Sequence, residues 1–182
     1  VNTDLIYQAQ ALAQKLNKKF VTRNNLSLER LKQDNNVDNI LIFTKDGLKA
    51  HTSQGDLFFH LNMAQLRILN LNRNQKDHMV EAMDLKPKMS VLDCTLGLGT
   101  DATVASYIVG ENAKVVGLES ATLVYLITKY GLANFNHDNI AINHSLRRIE
   151  SSNIHYLDYV KAHGDNRFDI VCRNAKTGEV VQ

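Results

Sequence analysis

The segment that most constrains the fold of this chain is Ser90–Ala102, with the sequence SVLDCTLGLGTDA. An apolar run ends at Asp93, a turn with Gly97 and Gly99 follows, and residues suited to opening a helix come next. This order predicts a strand, a tight turn and a helix, which is the arrangement of a nucleotide-type cofactor site in an α/β sheet. The glycines allow a ligand to approach the backbone, where the free N–H groups of the helix begin.

Asp93 bears on which ligand this turn binds. The spacing Gly97-x-Gly99-x-x-Ala102 also fits the dinucleotide fingerprint, in which a pyrophosphate binds at the helix N-terminus. A carboxylate at the end of the strand would repel a diphosphate, whereas it suits a cationic or hydroxyl-rich ligand. S-adenosylmethionine carries a sulfonium, an ammonium and a ribose diol but no phosphate. It is therefore the predicted cofactor, and a nicotinamide-dependent oxidoreductase is the alternative.

The stretch DCTLGLGTDA resembles the first motif of class I methyltransferases. It is most similar to the form found in the small-subunit ribosomal RNA methyltransferase J family and its Gram-positive relatives, and the resemblance extends from Phe58 to Val171. It implies a Rossmann-like sheet, S-adenosylmethionine as cofactor, and RNA as substrate, with a guanine amine of ribosomal RNA as methyl acceptor. The predicted cofactor-binding residues are Asp93, Thr95, Gly97, Gly99, Thr100, Asp101, Glu119, Ser120, His155 and Tyr156.

Glu119 is the second chemical landmark, because it ends an apolar run and lies 20 residues after Gly99. A carboxylate at this offset is expected to accept hydrogen bonds from both hydroxyls of a ribose. Thr100, Asp101 and Ser120 have two interpretations, since the family positions imply cofactor contacts and these residue types also favour helix N-caps.

Weaker signals lie on either side of these motifs. His155 and Tyr156 follow the predicted third strand, where the resembled family contacts adenine. Arg67 is a candidate partner for a carboxylate or an RNA phosphate, with an ordinary surface arginine as the alternative. Asp77 is a candidate partner for the ammonium of the cofactor, with a helix N-cap as the alternative. The histidines do not fall into a cluster with metal-ligand spacing, so the prediction is that there is no metal site.

Apolar spacing predicts two regions, 1–84 and 85–182. The first is an α+β extension with an opening amphipathic helix and a hairpin around Lys45-Asp46-Gly47. The second alternates strands and helices, including a helix over His137–Leu146, and this alternation predicts a parallel α/β sheet. Its strands are predicted over Met89–Cys94, Lys114–Leu118, Arg148–Asn153 and Phe168–Cys172.

Composition sets the remaining limits. The 182 residues are 44% apolar and 22% charged, with a net charge of +2, which fits an ordinary globular chain and requires any RNA footprint to be local. The short basic groups are better explained as solvated faces. Two cysteines and the lack of a long apolar run predict a cytoplasmic protein without a membrane span. The basic groups are Lys15, Lys18, Lys19 and Arg23, and later Arg147 and Arg148.

The last residues depart from the resembled family. The family has a D-P motif after its fourth strand, which orients the acceptor amine, whereas this chain has Asn174 and Ala175. The carbonyl oxygen of Asn174 retains the ability to accept a hydrogen bond from an amine, so Asn174 is the predicted catalytic residue. The chain ends at Gln182, and a C-terminally shortened sheet is expected, whose exposed edge favours a homodimer. A non-catalytic module that binds S-adenosylmethionine or RNA is a further alternative.

Overall fold

The computed structural model describes residues 2–164 and 168–172, and the chain divides into two compact units, Val1–Phe59 and His60–Gln182. Asn174 and Ala175 lie outside the described residues.

The first unit joins two helices to a three-stranded antiparallel sheet of order β1-β2-β3. Leu48 and Ala50 of β2 are buried on the same face of the sheet, as alternation along a strand requires. Ser27 caps α2 by accepting a hydrogen bond from the Arg30 amide at 3.1 Å. The elements of this unit are α1 (Thr3–Lys15), α2 (Leu28–Asn35), β1 (Ile40–Thr44), β2 (Gly47–Thr52) and β3 (Gly55–Phe58).

The second unit is built on a four-stranded parallel sheet of order β6-β5-β4-β7. Its strands are β4 (Val91–Asp93), β5 (Val115–Leu118), β6 (Ile149–Ser152) and β7 (Ile170–Cys172). Its helices are α3 (Asn62–Asn72), α4 (His78–Ala82), α5 (Thr100–Val109), α6 (Thr122–Asn134), α7 (Ile140–Arg148) and α8 (Tyr156–His163). The parallel α/β sheet predicted from the alternation of strands and helices is confirmed.

The core of this unit lies between the central strands and α5. Leu92 and Leu118 are fully buried, and every residue of β5 is buried. Helix α5 has small side chains that allow close packing, and the hydroxyl of Ser106 donates to the Ser145 carbonyl of α7 at 2.8 Å. This core holds the carboxyl ends of the parallel strands in a fixed row.

The unit boundary falls earlier than the predicted boundary after Asp84. Ala64 and Ile68 of α3 are fully buried, and α3 packs against α5, so α3 belongs to the same unit as the parallel sheet. The start of α7 also differs from the prediction of a helix from His137. Asn139 accepts a hydrogen bond from the Ala141 amide at 2.9 Å, and this cap begins the helix at Ile140.

No helix in residues 2–164 and 168–172 is both long and apolar enough to cross a membrane. Among the same residues, no group of three or more His, Cys, Asp or Glu side chains is arranged to hold a metal ion.

Candidate functional site

A glycine turn connects β4 to α5 at the carboxyl edge of the sheet. Gly97 and Gly99 have φ values of +53° and +77°, in the left-handed region that favours glycine. The Gly99 amide donates to the Leu96 carbonyl at 2.7 Å, and Gly99 is the N-cap of α5. The predicted strand, turn and helix are therefore present, and the first amides of α5 follow the turn directly.

The turn folds over β5 because Gly117 has no side chain. A Cβ atom at position 117 would lie 2.4 Å from Cδ1 of Leu96, which is 3% exposed. The Leu96 amide also donates to the Leu118 carbonyl at 2.8 Å. Sequence reasoning missed Gly117, although an isolated glycine within a strand pattern signals a close approach of another segment.

Glu119 lies beside this turn. Its Oε2 accepts a hydrogen bond from the Gly97 amide at 3.0 Å, and its Oε1 accepts one from the Ala121 amide at 2.8 Å. Buried Thr128 of α6, which sequence reasoning also missed, donates its hydroxyl to the Gly97 carbonyl at 2.6 Å. The predicted ribose-binding carboxylate and the predicted glycine turn are thus brought together by the sheet.

Asp93 ends β4 with a buried carboxyl group, 4% exposed. Its Oδ1 accepts a hydrogen bond from the Thr95 amide at 3.0 Å. The pKa of Asp93 is raised to about 7, mainly by burial and to a smaller extent by the nearby carboxylates of Asp101 and Glu119, against the opposing effect of the Thr95 amide. Within the described residues neither Asp93 nor Glu119 forms an ion pair, so the charge of Glu119, and that of Asp93 when it is ionised, is not offset by a cation there.

Arg67 pairs with two carboxylates at the start of α4 and α5. Its Nε and Nη2 donate to Asp77 at 2.7 and 2.9 Å, and its Nη1 donates to Oδ1 of Asp101 at 2.5 Å. Asp77 also accepts from the amides of Met79 and Val80, both at 3.1 Å, which confirms that it caps α4. Arg67 lowers the pKa of Asp77, so Asp77 stays ionised.

Thr100 and Ser120 do not cap the helices that follow them. Gly99 is the N-cap of α5 and Ala121 is the N-cap of α6, and neither helix has a side-chain cap. The capping interpretation is therefore wrong for both residues, because the turns place a different residue at the cap position. Ser120 is exposed, and Asn153 donates to its carbonyl at 3.2 Å and to the Glu119 carbonyl at 2.7 Å.

His155 and Tyr156 follow β6. Because β5 lies between β6 and β4, Glu119 at the end of β5 stands between these two residues and the glycine turn. His155 is the N-cap of α8, and its Nδ1 accepts from the Leu157 amide at 3.3 Å. Tyr156 packs against the cluster that contains Leu92, Cys94, Val116 and Leu118. The two rings lie 4.9 Å apart, so an aromatic pair stands at this end of the row.

Cys172 lies at the opposite end of the row, aligned with Asp93 across β4 and β7. Its thiol donates to the Leu92 carbonyl at 3.5 Å, and burial raises its pKa, so it stays protonated at neutral pH. Along the carboxyl ends of the strands from β6 to β7, the side chains therefore change from aromatic rings to carboxylates and then to a neutral thiol.

Comparison with known sequences relates the chain to one family model and to several curated proteins. Residues 73–148 match the family model described as protein-L-isoaspartate(D-aspartate) O-methyltransferase. The chain is 34% identical over 167 residues to the uncharacterised protein YpiP of Bacillus subtilis, a match that includes 91% of this chain and 65% of YpiP. It is 29% identical over 156 residues to ribosomal RNA small subunit methyltransferase J of Francisella tularensis, a match that includes 84% of this chain and 60% of that protein.

Comparison with solved structures bears on the fold. A SAM-dependent methyltransferase from Neisseria gonorrhoeae superposes with a TM-score of 0.54 at 19% identity, with 73% of this chain and 55% of that chain aligned. The chain therefore shares a Rossmann-like α/β fold with this solved methyltransferase. Its sequence is similar to YpiP and to methyltransferase J, and the resemblance stated from the first motif is confirmed. The chain spans less than two thirds of the length of either relative.

Proposed function

We propose that this chain binds S-adenosylmethionine and transfers its methyl group to an acceptor. The observation that supports the proposal is the set of carboxylates around the glycine turn, of which Asp93 and Glu119 have no cation partner among the described residues. Excess negative charge favours a ligand with sulfonium and ammonium groups and opposes a diphosphate. Nothing in the matched proteins favours the nicotinamide alternative, since their names describe methyltransferases or an uncharacterised protein.

The proposed roles follow the order of groups along the carboxyl edge. Glu119 accepts hydrogen bonds from the ribose hydroxyls, while Ser120, His155 and Tyr156 bind the adenine side. The methionine end lies over the glycine turn, near the residues of β4 and α5. There the contacts are made by Asp93, Thr95, Gly97, Gly99, Thr100 and Asp101.

The bound cofactor supplies an activated methyl group, so the protein mainly aligns the donor with the acceptor and excludes water. The backbone of the glycine turn and the Glu119 carboxylate fix the donor. For Asn174, the role proposed from its position in the sequence is to accept a hydrogen bond from the acceptor amine, which orients the nitrogen lone pair toward the methyl group.

Isothermal titration with S-adenosylhomocysteine, S-adenosylmethionine, NAD and NADP tests cofactor binding. We expect both adenosyl compounds to bind and the two nicotinamide compounds not to bind. The variant Glu119→Gln removes the carboxylate proposed to bind the ribose. Its matched control is Glu111→Gln, because Glu111 is an exposed carboxylate outside the site. Binding of NAD with no binding of S-adenosylhomocysteine would overturn the proposal.

We further propose RNA as the acceptor. The similarity to methyltransferase J supports this, and so does an acid-free stretch, residues 5–28, in the first unit. Its four cations are exposed and form no ion pair within the described residues, whereas Arg30, Lys32 and Lys49 of the same unit are paired. Lys19 and Arg23 donate to the neutral oxygens of Asn35 and Leu26, at 2.7 and 3.0 Å, so their charges, like those of the other two cations, are not neutralised and can pair with phosphates. These cations are Lys15, Lys18, Lys19 and Arg23.

Transfer of a labelled methyl group to small-subunit ribosomal RNA or to a protein extract distinguishes the acceptors. We expect the label in RNA, in a form that is removed by ribonuclease. The match to the isoaspartate methyltransferase model ends at residue 148. It includes the glycine turn and Glu119 but not Asn174, so it does not bear on the acceptor. Label in base-labile protein esters, with none in RNA, would overturn the RNA proposal and leave cofactor binding intact.

A further inference from the structure

Arg67 of α3 forms an ion pair with Asp101, one of the predicted cofactor-binding residues. Two of its nitrogens form a bidentate pair with Asp77, and the third, Nη1, donates to Oδ1 of Asp101 at 2.5 Å. The side chain of Arg67 is 19% exposed. Sequence reasoning named Arg67 and Asp77 as separate candidates and did not connect either of them with Asp101.

One side of this arrangement is rigid. Asp77 is 9% exposed, and it accepts hydrogen bonds from the Met79 and Val80 amides in addition to those from Arg67. A planar guanidinium held by two parallel hydrogen bonds has little rotational freedom. The position of Nη1 is therefore set by the start of α4.

The other side of the arrangement is open. Asp101 is 61% exposed and stands in the first turn of α5, directly after the glycine turn. An exposed aspartate without a partner samples several rotamers, and Arg67 restricts Asp101 to one of them. Arg67 engages Oδ1, which leaves Oδ2 able to accept a hydrogen bond from a ligand.

We infer that Arg67 is a positioning residue that holds Asp101 for the ammonium group at the amino-acid end of the cofactor. The inference rests on the proposed function, because Glu119 at the ribose places the amino-acid end over β4 and α5. Arg67 also offsets the charge of Asp101, which is one of two carboxylates near Asp93. The other, Glu119, forms no ion pair within the described residues. Arg67 thus acts on the ligand through Asp101.

The test compares two ligands that differ only at this end. S-adenosylhomocysteine has the amino-acid portion, whereas 5′-methylthioadenosine shares the adenine, ribose and thioether but lacks it. We expect Arg67→Ala to weaken S-adenosylhomocysteine binding roughly tenfold and to leave methylthioadenosine binding unchanged. Lysine cannot form the planar bidentate pair, so Arg67→Lys should recover only part of the loss.

Three further variants separate positioning from folding. Arg73→Ala is the matched control, since Arg73 ends the same helix, is exposed and forms no ion pair within the described residues. Asp101→Asn changes an exposed side chain and should reproduce the ligand-specific loss even if Arg67→Ala unfolds. The double variant Arg67→Ala with Asp101→Asn should lose no more affinity than Asp101→Asn alone.

Equal weakening of both ligands by Arg67→Ala would overturn the inference and assign Arg67 a purely structural role. Additive losses in the double variant would also overturn it, because the two residues would then act independently. Failure of the unmodified chain to bind either ligand is a different result, which refutes the proposed function itself.

Discussion

Replacement of Gly117 by alanine probes the contact that allows the glycine turn to lie on β5. The added Cβ would lie 2.4 Å from Cδ1 of Leu96 and 3.0 Å from both its Cδ2 and its Cγ. Leu96 is 3% exposed, so its side chain has to shift within the packed interior to relieve this contact. Overpacking of this kind costs roughly 1–3 kcal/mol, and we expect the free energy of unfolding to fall by that amount.

Urea denaturation measures this loss, with an unchanged m-value as the sign that both variants unfold as the native protein does. Leu96→Ala alone should lose about 2–5 kcal/mol through the cavity it leaves. In the double variant the new methyl group of residue 117 occupies part of that cavity, so the combined loss should be smaller than the sum. Losses that add to within about 0.5 kcal/mol would refute the proposed clash.

Three further predictions concern charged groups. Glu119→Ala should weaken S-adenosylhomocysteine binding by roughly 1.5–3 kcal/mol, the contribution of hydrogen bonds to a charged group, and an unchanged affinity in calorimetry would remove Glu119 from the site. Because burial raises the pKa of Asp93 to about 7, its contribution to stability is complete below the ordinary value of 3.8 and is lost as the pH rises through about 7. Asp93→Asn should therefore reduce the fall in urea midpoint over this pH range, and an identical pH profile would contradict the assignment. Hydrogen bonds to Asp56 and Glu29 raise the pKa of His51, so its stabilising effect is complete below 6.5 and is lost as the pH rises through the raised value. Asp56→Asn should lower the pKa of His51 in an NMR titration, and an unshifted titration would show that the 2.6 Å contact is absent in solution.

Local features of the sequence were sufficient to predict most of the helices and strands. The apolar spacing before Lys15 predicts α1, and the turn at Lys45-Asp46-Gly47 predicts the hairpin of β1 and β2. These signals work because periodicity and turn chemistry act over a few residues. The predicted start of α7 at His137 was too early, because the Asn139 side chain caps the helix and the residues before it stay outside.

The site was predictable only in its parts. Asp93, Gly97 and Glu119 were identified because each lies at the end of a strand or in a turn with its own local pattern. Gly117, Thr128 and Asn153 were missed, because each contributes through a contact with a distant segment.

The sequence by itself determined which residues could bind a cationic, hydroxyl-rich ligand, since the glycine turn and the acidic strand ends are local features. Only the tertiary structure decided how they meet. The order β6-β5-β4-β7 brings Glu119 to 3.0 Å from the Gly97 amide, and the packing of α3 on α5 brings Arg67 to Asp101. The physical reason is that an apolar pattern specifies which face of an element is buried, whereas the neighbour that buries it is selected by packing of the whole chain.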